Sequence, residues 1–94
     1  MPISQHQREQ LRQAVVGYLA ARSSFKFDSP SIRKSIVMRN ITKFSFDEED
    51  IDQELLFLEV LGFAQKSQTN MSETLYWQAT CEGVRESDKN GWSV

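Results

Sequence analysis

Two groups of charged side chains carry most of the chemistry available to this sequence. Arg33, Lys34, Arg39 and Lys43 place four cations within eleven positions. Cations at that density can neutralise several phosphates, or they can form a solvated face with no ligand. Immediately afterwards Asp47, Glu48, Glu49, Asp50 and Asp52 crowd five acids into six positions. This acidic run lacks the ligand spacing and central glycine of a calcium loop, and it reads better as the first turn of a helix, where carboxylates complement the positive end of the dipole. The division extends over the whole chain. Through Phe46 there are eight Lys or Arg against two acids, a net +6, and from Asp47 onward three against eleven, a net -8. A basic face attracts phosphate and an acidic one repels it, so the split bears directly on the choice of partner.

Other chemistries find little support. A metal centre needs several converging His, Cys or carboxylate ligands, whereas the one histidine, His6, and the one cysteine, Cys81, stand at opposite ends of the chain. The same scarcity removes a Ser, His and Asp constellation, and the four glycines form no phosphate-cradling loop. The expectation is a protein that is not an enzyme, with no catalytic residues, metal, cofactor or small-molecule substrate. Its 94 residues, 39% hydrophobic and 26% charged, suit one soluble domain. The longest apolar stretch, Leu55 to Ala64, is interrupted by Glu59 and is far shorter than the roughly 20 residues that span a bilayer. With no secretory signal at the N-terminus and a single cysteine, the reading is cytoplasmic, without a membrane partner.

The elements that must position these groups follow from capping signals and apolar spacing. Ser4 with Gln7 predicts a capping box opening a helix from about Gln5 to Arg22, with Leu11, Ala14, Val15, Tyr18 and Leu19 at helical spacing. Phe25-Lys26-Phe27 alternates like a very short strand. Ser29 as cap and Pro30 at the first helical position predict a second helix to about Arg39, with Ile32 and Ile36 inward and Arg33 and Lys34 toward water. Residues 40–46 read as a loop whose Ile41, Phe44 and Phe46 tuck under the core. Asp47 opens the third helix, which Gly62 ends; Ile51, Leu55, Phe57, Leu58 and Leu61 share its inner sector and make it the main beam of the core. Phe63 to Lys66 and Thr74 to Ala79 predict two strands joined by a polar tip containing Gln68, Thr69 and Asn70. Thr80 caps a last short helix through Val84, so residues 1–86 form the domain and 87–94 a loose polar tail whose Trp92 is free to dock.

Helix, short strand, helix, loop, helix and hairpin is the layout of a winged helix-turn-helix domain. Leu55-Leu56-Phe57-Leu58-Glu59-Val60-Leu61-Gly62-Phe63 resembles the end of the third helix and the entry into the first wing strand of that superfamily. Tyr76-Trp77-Gln78-Ala79-Thr80-Cys81-Glu82-Gly83 resembles the second wing strand, with an aromatic pair followed by Thr-x-x-Gly. The resemblance covers residues 5–84 and implies an α+β fold: a three-helix core, a C-terminal β-hairpin wing and a short N-terminal strand. Gly17-Tyr18-Leu19-Ala20-Ala21-Arg22 adds a likeness to small winged-helix proteins encoded in Mu-like prophages. The chain departs from the superfamily at Glu54, where a small apolar residue is usual. An acid inside an apolar sector calls for an Arg or Lys partner from a neighbouring element.

The resemblance implies a DNA-associated accessory or transcriptional regulatory protein. In such domains the third helix usually enters the major groove. Here its outward sector carries Glu48, Glu49, Asp52, Gln53 and Glu59, four of them acidic. One such charge about 5 Å from a phosphate is repelled by roughly 3 kcal/mol at an effective dielectric near 20, before salt screening. Contact with double-stranded DNA is therefore expected through the helix-two face, Arg33, Lys34, Arg39 and Lys43, with Lys66 beside the wing. The alternative is a protein-interaction module, adaptor or homodimer, that uses the acidic third helix. Leu56 and Val60 form an apolar strip there flanked by acids, Asp52 and Glu59 among them. Adjacent strand residues face opposite ways, so of Tyr76 and Trp77 one is expected in the core.

Overall fold

The computed structural model describes residues 3–68, 71 and 73–93. The elements run α1 (Gln5–Ala21), α2 (Ser29–Met38), α3 (Glu48–Leu61), β1 (Ala64–Ser67), β2 (Tyr76–Ala79) and α4 (Cys81–Asn90). Each helix begins on a side-chain acceptor that satisfies an otherwise orphaned amide. Ser4 and Gln7 form a capping box on α1, Asp47 and Asp50 form another on α3, and Thr80 accepts from the Gly83 N–H at the head of α4. At α2 the cap is Asp28, which accepts from the Ser31 N–H at 3.1 Å, and not the expected Ser29. A carboxylate is the stronger acceptor. Its use leaves the buried Ser29 hydroxyl to donate to Asp52 on α3.

Three of the helices end alike. Asn40, Gly62 and Gly91 adopt left-handed φ of 52°, 82° and 70°. The next residue then returns its N–H to the last turn: Ile41 to the Ile36 carbonyl at 3.2 Å, Phe63 to Leu58 at 2.9 Å, and Trp92 to Ser87 at 2.9 Å. This is the Schellman arrangement. In each case the residue after the reversal is apolar and packs against the core.

The central element is α1, buried without a break from Ala14 to Ala20 and touched by α2, α3, α4 and β2. This corrects the assignment of the main beam to α3. The small residues Ala14, Gly17 and Ala20 let neighbours approach α1 from several sides. From α3 come Ile51, Leu55 and Leu58, all buried, but Phe57 and Leu61 are 44% and 46% exposed and not in the core as expected. Phe57 lies past the edge of the apolar stripe, where its ring takes the Arg12 guanidinium at 3.9 Å. Leu61 is the last helical residue and lies at the opening beside Phe63 and Trp92. Ile41, Phe44 and Phe46 of the α2–α3 loop pack against the core.

The hairpin is antiparallel with Ala64 opposite Ala79 and Lys66 opposite Trp77. Trp77 is buried and Tyr76 half-buried, in keeping with the strand's alternation. Where a short N-terminal strand was expected there is a single antiparallel bridge: Phe27 donates to the Trp77 carbonyl at 2.9 Å and accepts from its N–H at 2.7 Å. Four helices and a two-stranded antiparallel sheet make an α+β chain that fits a winged helix. Thr69 and Asn70, expected at the wing tip, lie outside the described residues.

The C-terminal segment differs from the expected loose tail. Helix α4 continues past Val84 to Asn90, Ser87 is fully buried and bonded to the Ser93 hydroxyl at 2.9 Å, and Trp92 packs on the core. The reason is the Gly91-Trp92 reversal, which turns the chain back so that a half-buried aromatic ring packs against the core. Among the described residues no helix is long and apolar enough to cross a membrane.

Candidate nucleic-acid interface

Helix α2 is oriented by its inner side. Ile32 and Ile36 are fully buried, and the Tyr18 hydroxyl on α1 donates to Ser35 Oγ at 3.1 Å. That pose turns Arg33, Lys34 and Arg39 outward, all exposed, and the loop that follows presents exposed Lys43. Arg33 and Lys43 line one open cavity of about 320 Å³ with Val37, Asn40 and Thr42. Two cations from separate segments thus meet at one depression. Lys34 lies one residue round the helix from Arg33, and Arg39 stands at the C-terminal cap, where a cation also complements the dipole. None of the four has an ion-pair partner among the described residues.

Lys66 does not join this cluster. It sits on β1 with its Nζ 3.5 Å from Glu59 Oε1 of α3, so its charge is already partly compensated. The sequence reading put it with the other cations because charge order along a chain does not reveal which acid of a neighbouring helix lies beside a strand.

The acids of α3 divide into two sets. Glu54, only 3% exposed, accepts from Arg12 Nε at 2.8 Å and Arg8 Nη1 at 3.2 Å; Arg8 also lies 3.7 Å from Asp50. Both arginines come from α1, the expected kind of partner for an acid in an apolar sector. Glu48, Glu49 and Asp52 remain exposed and without cationic partners among the described residues, so the repulsion of phosphate from this helix stands. Asp47 is held below its ordinary value of 3.8, first by the hydrogen bond from the Asp50 backbone.

Leu56 and Val60 are 50% and 84% exposed, so Val60 stands open and Leu56 is half covered. Asp52, exposed, and Glu59, half-buried, lie alongside on α3. Two residues of the α2 surface were missed by the sequence reading: Val37 and Met38 are exposed apolar groups next to the cations. Their position off the Ile32–Ile36 stripe was the available signal. Among the described residues no group of three or more His, Cys, Asp or Glu could hold a metal ion.

No protein-family model matches the chain, and no curated protein matches it by sequence. A search of solved structures finds a likeness to a transcriptional regulator from Clostridium thermocellum, with a TM-score of 0.75 and 15% identity over 97% of this chain and 85% of that one. At that identity the likeness speaks for the fold: the chain is similar in architecture, nearly from end to end, to a transcriptional regulator.

Proposed function

We propose that this chain is a small, non-enzymatic winged-helix regulatory protein of the cytoplasm that associates with double-stranded DNA through the basic face of α2 and the loop after it. The three helices α1 to α3 form its core, and α3 serves packing more than groove insertion. The single observation that carries the reading is the contrast between two neighbouring surfaces: Arg33, Lys34, Arg39 and Lys43 are exposed without acidic partners among the described residues, whereas α3 presents Glu48, Glu49 and Asp52. The transcriptional role of the structural neighbour favours the same reading. A fluorescence-anisotropy titration on duplex DNA tests it. Four phosphate contacts give a slope of log K against log salt of about -3.6, or roughly a hundredfold loss of affinity between about 50 and 200 mM salt. Neutralising Arg33, Lys34 and Arg39 together to Gln reduces the slope to about -1. Absence of binding at low salt, or an unchanged slope in the triple variant, overturns the proposal.

The exposure of Leu56 and Val60 favours a second reading, that α3 is a protein-contact surface, either for another protein or for a homodimer. Sedimentation of the wild type beside Leu56→Glu/Val60→Glu separates these, since only a homodimer changes mass.

A further inference from the structure

Beside the proposed DNA face lies an apolar groove between the start of α2, the flank of α3 and the chain entering β2. It encloses about 510 Å³, with Pro30, Leu56, Leu75 and Trp77 among its lining residues. Leu56 and Leu75 remain 50% and 40% exposed, so the apolar lining is open to solvent. Asp28, Glu48, Asp52 and Glu73 also line it, and no Lys or Arg among the described residues does. Two of these acids are held in place: Asp28 caps α2, and Asp52 accepts the Ser29 hydroxyl. Glu48 and Glu73 have no cationic partner among the described residues. The acids come from three separate segments, the start of α2, α3 and the chain entering β2.

We infer that this groove docks a cationic amphipathic segment of a partner protein, with apolar side chains against Leu56 and Leu75 and Lys or Arg paired to the surrounding acids. The inference deepens the second reading above by giving the α3 surface a bounded site and its occupant a chemistry. Charge decides between occupants. An acid-lined groove repels phosphate and acidic peptides, and an uncharged apolar segment would leave the acids without partners. A second copy of this chain does offer cations beside exposed Val37 and Met38 on α2. That contact, in a ring or in a filament, covers the face proposed for DNA. A partner segment leaves the DNA face free, and one small domain then links DNA to a second protein. Apolar burial supplies most of the affinity, and the surrounding charges set the association rate and its salt dependence.

The test uses the full chain and a fluorescein-labelled helical peptide of about 14 residues with Leu at i, i+3, i+4 and i+7 and Lys elsewhere, beside a scrambled peptide of the same composition. The amphipathic peptide is expected to bind the wild type at least about tenfold more tightly than the scrambled one, and Leu56→Ser or Glu48→Gln/Asp52→Asn/Glu73→Gln to remove about that factor. Glu82→Gln/Glu86→Gln on α4 leaves it unchanged, and duplex binding is retained in all variants. Equal binding of both peptides, or insensitivity to the groove substitutions, overturns the inference. Sensitivity to Val60→Ser without sensitivity to Leu56→Ser or the three acids overturns the groove while leaving α3 a contact surface. A homodimer abolished by Leu56→Glu/Val60→Glu makes the occupant a second copy and also overturns it.

Discussion

The backbone carbonyl of Trp92 lies so close over Gly17 of α1 that a Cβ on the glycine would stand 1.9 Å from the Trp92 oxygen. The closeness is what lets the last residues lie against the buried centre of α1, and it turns a mid-helix glycine into a packing requirement. Gly17→Ala is expected to displace the C-terminal segment and destabilise the chain by about 1–3 kcal/mol, the usual range for overpacking. Chemical denaturation measures it. In a double-mutant cycle with Trp92→Ala the two effects are less than additive, because loss of the indole already loosens the segment that the new Cβ displaces. Additive effects contradict the account.

The Glu54 carboxylate between Arg8 and Arg12 is the second point where α1 fixes another element. Removing both arginines leaves a buried, uncompensated charge. Arg8→Ala/Arg12→Ala is expected to lower stability by about 3 kcal/mol, the low end for a broken buried pair because the arginines are themselves about a quarter exposed. Replacing Glu54 by Leu as well should recover much of that loss, since the apolar sector then continues unbroken. A denaturation midpoint unchanged by the arginine pair contradicts this.

Acid stability carries the signature of the α3 cap. Asp47 has a lowered pKa in the fold, chiefly through the Asp50 backbone N–H, so its ionised form favours the folded state. The contribution is fully present above its ordinary value of 3.8 and is lost as the pH falls through the lowered value. Asp47→Asn keeps an acceptor but removes the titration. Its stability curve is therefore flatter than the wild type below about pH 4, and the two proteins differ most above it. Parallel curves across that range contradict the assignment.

The two sets of cations should separate in DNA binding. Lys66 is engaged by Glu59, so Lys66→Gln is expected to change duplex affinity less than Arg33→Gln. Neutralising Glu48, Glu49 and Asp52 should raise affinity less than about threefold at physiological salt, where screening over about 8 Å damps charges that stand away from the phosphates. A gain of tenfold or more places α3 against the backbone. Anisotropy titrations at one salt concentration read all three variants.

Capping chemistry made much of this fold legible in the sequence. Ser4-x-x-Gln7 and the acids after Asp47 mark where α1 and α3 begin, and both starts hold to within a residue. At α2 two adjacent acceptors, Asp28 and Ser29, competed for one cap, and their ranking depends on what lies across from Ser29 in the fold. The C-terminus was misread for a different reason. Polar composition after Ser87 suggested a loose tail, yet Asn90-Gly91-Trp92 repeats the logic of Leu61-Gly62-Phe63: a left-handed glycine, then an apolar residue that returns to the core. The basic cluster could be found from residue type and spacing alone. The groove could not, because Asp28, Asp52 and Glu73 are far apart in the chain and meet only when α2, α3 and the hairpin pack.

Whether α2 and not α3 faces DNA can be read by following backbone amide resonances while a short duplex is titrated into the labelled protein. The largest shifts are expected at Arg33, Lys34, Arg39 and Lys43, reversed by salt, with Gln53, Leu56 and Val60 little changed. Shifts concentrated on the outward side of α3, with the α2 amides unmoved, contradict it.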